Sequence, residues 1–465
     1  MPIWSRNFSI RPPLLVLGTV EFLAAYFSVL GAAIILYGSV RQGQVALGSI
    51  HLNAAVVAIV LLTSLLSMGL YNFHQRLYFR EVLARVTVGI ALGALAIAAI
   101  YFVFPTVSLP RNFISVAFLL ALVTILVARL YFFHNVDTNV FRRRTLIYGA
   151  GERARGIADL RRRADRRGFN VVGSIPANGD LEISQGNGTL FHEPSLISLT
   201  KELAIDEIVI AMDDRRGNLP LRELLDCKLT GVNVIDIVEF LERESEKVRI
   251  DLVNPSWLVF SPGFRTTKIR SIGKRFVDFL LSFVALLFVW PVMLMVAFVI
   301  KCEDGIRAPV FYGQIRVGQF SENFKILKFR SMRQDAESKS GAVWAEKNDS
   351  RITRIGRFLR AARLDELPQL INVLRGEMSL VGPRPERPEF VEKLAESIPY
   401  YLERHTAKPG ITGWAQLRYS YGASEEDTIQ KLQYDLFYVK NQSLVMDITI
   451  MLQTLEVIIW GKGAR

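Results

Sequence analysis

Cysteine and histidine are scarce in this sequence: two cysteines, Cys227 and Cys302, and five histidines among 465 residues. Two thiols build no disulfide framework, and no pair of histidines has a spacing such as HxxxH, so a zinc site is excluded. Helix-turn-helix, zinc-finger and RNP patterns are absent. The excess of 56 Lys and Arg over 44 Asp and Glu therefore does not point to nucleic acid. The N-terminus does not read as a cleavable signal, because its apolar run is long and no small-residue cleavage site follows.

What is abundant is apolar surface. Hydrophobic residues make up 51% of the chain, the mean hydropathy is +0.26 and the net charge is +12. A basic, apolar chain reads as a membrane protein whose cations sit on cytoplasmic loops and near anionic headgroups. The length suggests about three units. Four apolar runs fill the first third, at Pro13–Tyr37, Leu52–Leu70, Val86–Phe104 and Phe113–Phe133. Each is close to the ~20 residues that a helix needs to cross about 30 Å of hydrocarbon. Arg6 and Arg11, then Arg76, Arg80 and Arg85, then Arg142, Arg143 and Arg144 lie on one side of the resulting bundle. The other two gaps hold only Arg41 and Arg111, so both termini of the bundle are expected in the cytoplasm.

Composition then changes. From residue 145 to about 262, strand-like runs (Thr145–Tyr148, Asn170–Ile175, Glu207–Ala211, Val232–Ile237) alternate with helix-like ones (Arg153–Arg163, Leu219–Leu229). That alternation predicts an α/β unit with a parallel sheet. A fifth apolar run, Phe276–Ile300, has cations on both flanks and Pro291 inside it. Basic flanks on both sides argue against crossing, and a proline bends a helix. A re-entrant hairpin on the cytoplasmic face fits both facts, with a kinked fifth span as the other reading. The last apolar stretch, Leu444–Trp460, carries Asp447 and Glu456 and reads equally as an interfacial amphipathic helix or a core-facing one.

Five segments could carry chemistry. Tyr148-Gly149-Ala150-Gly151-Glu152-Arg153-Ala154 follows a strand and opens a helix, as a phosphate cradle does. It lacks a third glycine, and no acid follows the second strand at Val172-Gly173-Ser174 to hold a ribose, so the glycines are expected only to make the turn. Lys274-Arg275-Phe276-Val277-Asp278 stands where the chain meets the membrane: its cations would attract a lipid phosphate or simply snorkel. Lys325, Lys328 and Arg330 lie on a strand-like run and could grip a diphosphate. Asp365-Glu366, crowded by Arg360 and Arg363, precedes an apolar helical run, with Pro368 in its first turn. Such an acid pair could attack phosphorus and hold Mg²⁺, or could be no more than an N-cap and a first-turn acid. In Gly382-Pro383-Arg384-Pro385 two prolines hold one arginine out for an anion, or merely form a turn.

In order, these segments resemble a known family. The stretch from Lys274 to Arg465 is similar to the catalytic domain of bacterial sugar transferases, the polyprenyl-phosphate phosphoglycosyl transferases of the monotopic kind. The landmarks are Lys274-Arg275-x-x-Asp278, Gln314-x-Arg316-Val317-Gly318, Lys328-Phe329-Arg330-Ser331-Met332, Leu364-Asp365-Glu366-Leu367-Pro368-Gln369-Leu370, Gly382-Pro383-Arg384-Pro385 and Lys408-Pro409-Gly410-Ile411-Thr412-Gly413-Trp414. The four spans and the α/β unit resemble the large members. The ending, Tyr421-Gly422-Ala423-Ser424 through Trp460-Gly461-Lys462-Gly463, resembles exopolysaccharide transferases associated with PEP-CTERM systems. The family often has Ser before the helix-breaking proline, where this chain has Trp290.

The resemblance implies a membrane α plus α/β architecture. A four-helix transmembrane bundle would occupy residues 1–140 and a Rossmann-like cytoplasmic domain 141–262. An α-rich catalytic domain, 263–465, would carry the re-entrant helix 276–300. It implies transfer of a sugar-1-phosphate from a UDP-sugar to polyprenyl phosphate at the bacterial inner membrane, initiating exopolysaccharide synthesis. Asp365 would be the nucleophile and Glu366 its Mg²⁺-holding partner. Lys328, Arg330, Arg360, Arg384 and Arg418 would contact substrate, while Lys274, Arg275, Asp278 and Pro291 would form the lipid-phosphate interface. Membrane lipids and a second copy of the chain are the implied partners. A non-catalytic scaffold or nucleotide sensor of a polysaccharide assembly is the alternative. No motif encodes which sugar is moved.

Overall fold

The computed structural model describes residues 12–68, 70–71, 79–103, 109–135, 142–158, 160, 169–177, 180, 189–190, 195–214, 219–253, 263–264, 267–333, 351–419 and 424–460. The cations Arg6, Arg11 and Arg76 and the segments 421–423 and 461–463 lie outside the described residues. The chain divides into two compact units, residues 1–245 and 246–465.

The first unit opens with α1 (Pro12–Tyr37), a short α2 (Val40–Leu47), α3 (Ile50–Ser67), α4 (Phe79–Val103) and α5 (Arg111–Asn135). Helices α1, α3, α4 and α5 are each long and apolar enough to cross a membrane. The short α2 falls in what the sequence presents as a gap, and Ser39 caps it by accepting from the Gln42 amide. Small residues let the helices approach closely: a Cβ on Gly93 of α4 would stand 2.7 Å from Leu61 of α3. Ala25, Ala32, Ala54 and Ala58 line the same buried core. Inside it, Glu21 of α1 and Arg129 of α5 pair at 2.6 Å, both almost wholly buried, and Tyr71 donates to Glu21.

The same unit continues with β1 (Arg143–Tyr148), α6 (Glu152–Ala158), β2 (Phe169–Ile175), β3 (Thr189–Leu190), α7 (Leu196–Glu202), β4 (Glu207–Ile210), α8 (Leu221–Leu229), β5 (Asn233–Asp236) and α9 (Ile237–Ser245). Its five strands are all parallel, in the order β3-β2-β1-β4-β5. The predicted strands are present, each within two residues of its expected ends, whereas the two-residue β3 is too short to leave a pattern. Leu146, Ile208, Leu224 and the free thiol of Cys227 form one buried layer. Arg243 ties α9 to β4 through a two-pronged pair with the buried Glu207, at 2.7 and 2.8 Å.

The second unit begins its described helices with α10 (Lys268–Asp304), a single helix with Pro291 inside it, where the missing amide removes one hydrogen bond of the ladder. A hairpin follows, β6 (Phe311–Val317) against β7 (Asn323–Phe329). Then come α11 (Arg354–Ala361), α12 (Gln369–Arg375), β8 (Ser379–Val381), α13 (Pro388–Ser397), β9 (Gly410–Thr412), α14 (Trp414–Arg418), α15 (Glu425–Asn441) and α16 (Leu444–Trp460). Strands β8 and β9 pair in parallel. Val296 and Ile300 of α10 are buried with Phe329 and Leu359, each fully buried side chain contributing about 1.5–3 kcal/mol. Helix α16 turns its acids inward: Asp447 and Glu456 are buried with Met446 and Ile450, while Val445, Ile448 and Leu455 stand exposed.

Candidate active site

The acid pair sits on a tight turn. Arg363 adopts a left-handed backbone (φ +55), and a single 3₁₀ turn carries Leu364, Asp365 and Glu366 before α12 starts at Gln369. A non-glycine residue in this region is strained and is held there only by its surroundings. Leu364 and Leu367 supply the hold by packing into the cluster of Val296, Ile300 and Phe329. Asp365 caps nothing: Pro368 occupies the N-cap of α12, without a side-chain cap. That removes the reading of Asp365 as an ordinary helix cap.

Around this turn the hairpin sets one wall. Tyr312 faces Lys328, Gln314 faces Ile326 and Arg316 faces Phe324, so period-2 alternation puts Arg316, Ile326 and Lys328 on one face. Lys325 falls on the other face, exposed. The opposite wall is the loop leaving β8. The Gly382 amide donates to Thr412 O and the Gly410 amide to Pro383 O, both at 2.9 Å. Arg316, Ile326, Lys328, Glu366, Gln369, Arg384, Pro385 and Gly410 line the cleft between them.

Charge in the cleft is unevenly satisfied. Lys328 Nζ and Arg384 Nη2 both donate to Glu366 Oε1 at 3.4 Å. Burial pushes the Glu366 carboxyl up, but Arg384, Lys328 and Arg363 outweigh it and hold the carboxyl at about 2. Asp365, 8% exposed, receives no hydrogen bond or ion pair among the described residues. Burial, then the negative charge of Glu366, raise its carboxyl above the ordinary aspartate value, against Lys328, Arg360 and Arg384. Burial depresses the Lys328 ammonium, with Glu366 opposing. The result is one carboxylate clamped by cations and a neighbour left available.

The other sequence-selected residues are placed differently. Arg360 donates from Nε to Ser331 Oγ at 2.9 Å, near enough to Asp365 to act on its charge. Arg330 is buried and pairs with Asp304 at the end of α10, at 2.5 Å. Arg418 stacks 4.2 Å over Trp414 and pairs with Glu246 at 2.5 Å; it does not line the cleft. Lys274 pairs with Asp447 at 2.8 Å and donates to Val381 O. Arg275 donates to Val373 O and Leu374 O at the end of α12, while Asp278 accepts from the Leu380 amide. Lys408 joins Arg275 there by donating to Gly376 O. Cations at a helix C-terminus oppose its partial negative charge. Arg316 and Gln369 also line the cleft, and residue type and spacing alone give neither a role.

For Mg²⁺, the donor chemistry fits. Magnesium is bound by one or two carboxylates together with waters and substrate phosphates, and Asp365-Glu366 is such a pair. No cluster of three or more His, Cys, Asp or Glu side chains exists among the described residues, so the site offers no all-protein metal cage.

Comparison with known proteins identifies the family. The profile of the family described as "Bacterial sugar transferase" matches residues 269–461. The chain is 41% identical over 253 residues to the UDP-N-acetylgalactosamine-undecaprenyl-phosphate N-acetylgalactosaminephosphotransferase of Aeromonas hydrophila, covering 54% of this chain and 58% of that protein. It is 31% identical over 427 residues to the UDP-glucose:undecaprenyl-phosphate glucose-1-phosphate transferase of Xanthomonas campestris pv. campestris, covering 88% and 87%. The protein of that name from Klebsiella pneumoniae is 33% identical over 334 residues, 70% of this chain and 69% of its own. A match running through nearly the whole of both chains places this protein in the bacterial sugar transferase family.

Proposed function

We propose that the protein transfers a sugar-1-phosphate from a UDP-sugar to undecaprenyl phosphate through a covalent intermediate on Asp365. The observation that carries the reading is an Asp365 carboxylate without a partner among the described residues, beside a Glu366 clamped by Lys328 and Arg384. The relatives bearing undecaprenyl-phosphate sugar phosphotransferase names support the reaction class. In the first step an Asp365 oxygen attacks the sugar-bearing phosphorus. An O–P bond forms, the bridging P–O bond breaks and its electron pair leaves on UMP. In the second step an oxygen of undecaprenyl phosphate attacks the same phosphorus. The acyl phosphate bond breaks, the Asp365 carboxylate is restored and undecaprenyl-diphosphate-sugar departs. Lys328 and Arg384 offset charge on the phosphoryl oxygens, with Arg360 acting on Asp365. Bound Mg²⁺, held by Asp365 and Glu366, would supply further neutralisation of diphosphate charge.

The membrane setting follows from α10. Its first turns are tied to β8, α12 and Asp447, and its last turns to Arg330 and the Arg354 amide. Between them Phe283, Leu287, Phe288, Trp290 and Leu294 are exposed. Both flanks are thus fastened to one unit, with a bare apolar stretch between. That arrangement supports a re-entrant helix at Pro291 that holds the site at headgroup height on the cytoplasmic face. The four N-terminal helices form the transmembrane bundle, and the parallel sheet order supports a Rossmann-like middle domain. The product fits the initiating step of exopolysaccharide assembly.

Asp365→Asn keeps shape and removes the nucleophile. UMP release from UDP-glucose, UDP-galactose and UDP-N-acetylgalactosamine with undecaprenyl phosphate should vanish, with the unfolding midpoint retained. A glycosyl phosphate should be mass-mapped to the Asp365 peptide of the wild type; turnover that never modifies the protein overturns the reading. For topology, exposed Cys302 and an Ile269→Cys variant should react with an impermeant thiol reagent from the same membrane face. Reaction from opposite faces makes α10 a span.

A further inference from the structure

Behind Arg384 lies a charged pair that takes no part in the cleft. Arg404, on the 3₁₀ turn Leu402–Thr406, is 5% exposed and Asp435 of α15 is 2% exposed. Arg404 Nη2 donates to Asp435 Oδ2 at 2.8 Å, and Nη1 donates to the Tyr401 hydroxyl at 2.9 Å. Taking both ions out of water costs several kcal/mol each, and buried pairs of this kind are weak sources of net stability. The pair also reaches the cleft loop: Arg404 Nη2 donates to the main-chain oxygen of Arg384 at 3.0 Å.

That contact falls on a segment flanked by two prolines. Pro383 and Pro385 have no N–H, so at these two positions the main chain can be held only through its carbonyls. Pro383 O accepts from the Gly410 amide at 2.9 Å and Pro385 O from Arg316 Nη1 at 3.1 Å. The bond from Arg404 lies between these two, on the residue whose side chain reaches Glu366. A guanidinium whose Nη2 also holds a carboxylate and whose Nη1 holds a phenol gives that carbonyl a rigid anchor, with planar donors set by geometry.

We infer that Arg404, fixed by Asp435 and Tyr401, is a positioning residue that aims Arg384 at the transferred phosphate. This rests on the reading of Arg384 as a phosphate contact. Arg404 touches no reacting atom; its effect passes through the Arg384 main chain.

A double-mutant cycle on kcat/KM separates this from a purely structural role. The full chain, in lipid, is assayed for UMP release with undecaprenyl phosphate and whichever of the three UDP-sugars it turns over fastest. Arg384→Ala should cost about 100-fold, as loss of one transition-state donor does. Arg404→Lys keeps the charge but loses the fork, and should cost on the order of 10- to 100-fold through misplacement. The double variant should match Arg384→Ala within about twofold, since the anchor has nothing left to aim. Losses that multiply in the double variant, or full turnover by Arg404→Lys, overturn the inference. Should Arg404→Lys fail to fold, Tyr401→Phe takes its place, with a several-fold loss that disappears in the Arg384→Ala background. Persistence of that loss is equally fatal. Wild-type turnover by Arg384→Ala itself would remove the phosphate reading first, which keeps the two failures apart.

Discussion

Two regions of this chain bring carboxylates to a turn that precedes a helix, and they use them in opposite ways. In the α/β region, Asp213 accepts from the Glu152 and Arg153 amides at 2.9 and 2.8 Å. Asp180 accepts from the Ala150 amide at 2.7 Å and from Ala177 at 2.9 Å. The amides that would cradle a phosphate after β1 are thus spent on the chain's own anions. A Cβ on Gly151 would lie 2.0 Å from Asp213 Oδ2, so the glycine admits that carboxylate rather than a ligand. In the catalytic region, cations surround the acids instead, and Asp365 receives no hydrogen bond or ion pair among the described residues. A strand–glycine–helix pattern with its polar groups already paired has little left to bind with. An acid left unpaired among cations can still react.

The sharpest way to break this contrast is to remove a cation. Lys328→Met should lower kcat/KM for UMP release by about 10²–10³-fold, as loss of an electrostatic transition-state contact does. A loss below about tenfold would show that the clamp on Glu366 is structural. Next is the pH profile. Asp365 attacks only when ionised, and its carboxyl lies above the ordinary aspartate value of 3.8, so activity should fall as pH drops through a value above 3.8. Glu366→Gln removes a neighbouring negative charge that raises Asp365, and should move the acid limb of the residual activity to lower pH. An unmoved or raised limb would separate the limb from Asp365. The smallest effect belongs to the α/β region. Asp213→Ala should cost about 1–3 kcal/mol of stability, by leaving two amides without an acceptor, and leave UMP release unchanged. Titration of the wild type with NAD should show no binding, whereas saturable binding would show that the carboxylates yield to a phosphate.

Elements with a strong periodic signal were legible from residue order alone. Four runs near 20 apolar residues, four alternating strands and the ordered landmarks from Lys274 to Trp414 all depend on local pattern, and the matching helices, strands and turns follow it. The acid pair stood out because adjacent carboxylates amid arginines are legible in one dimension. Partnership was not. Nothing in the order of residues says that Glu21 finds Arg129 across 108 positions, or that Arg418 turns to Glu246 rather than to the cleft. Nor does it say that Lys274 and Arg275 spend their charge on Asp447 and on the carbonyls of α12. Local propensity and hydropathy act between near neighbours, so sequence carries them directly. A charge commits to one partner only when packing closes long loops and excludes water, and which partner is nearest is then a property of the tertiary structure.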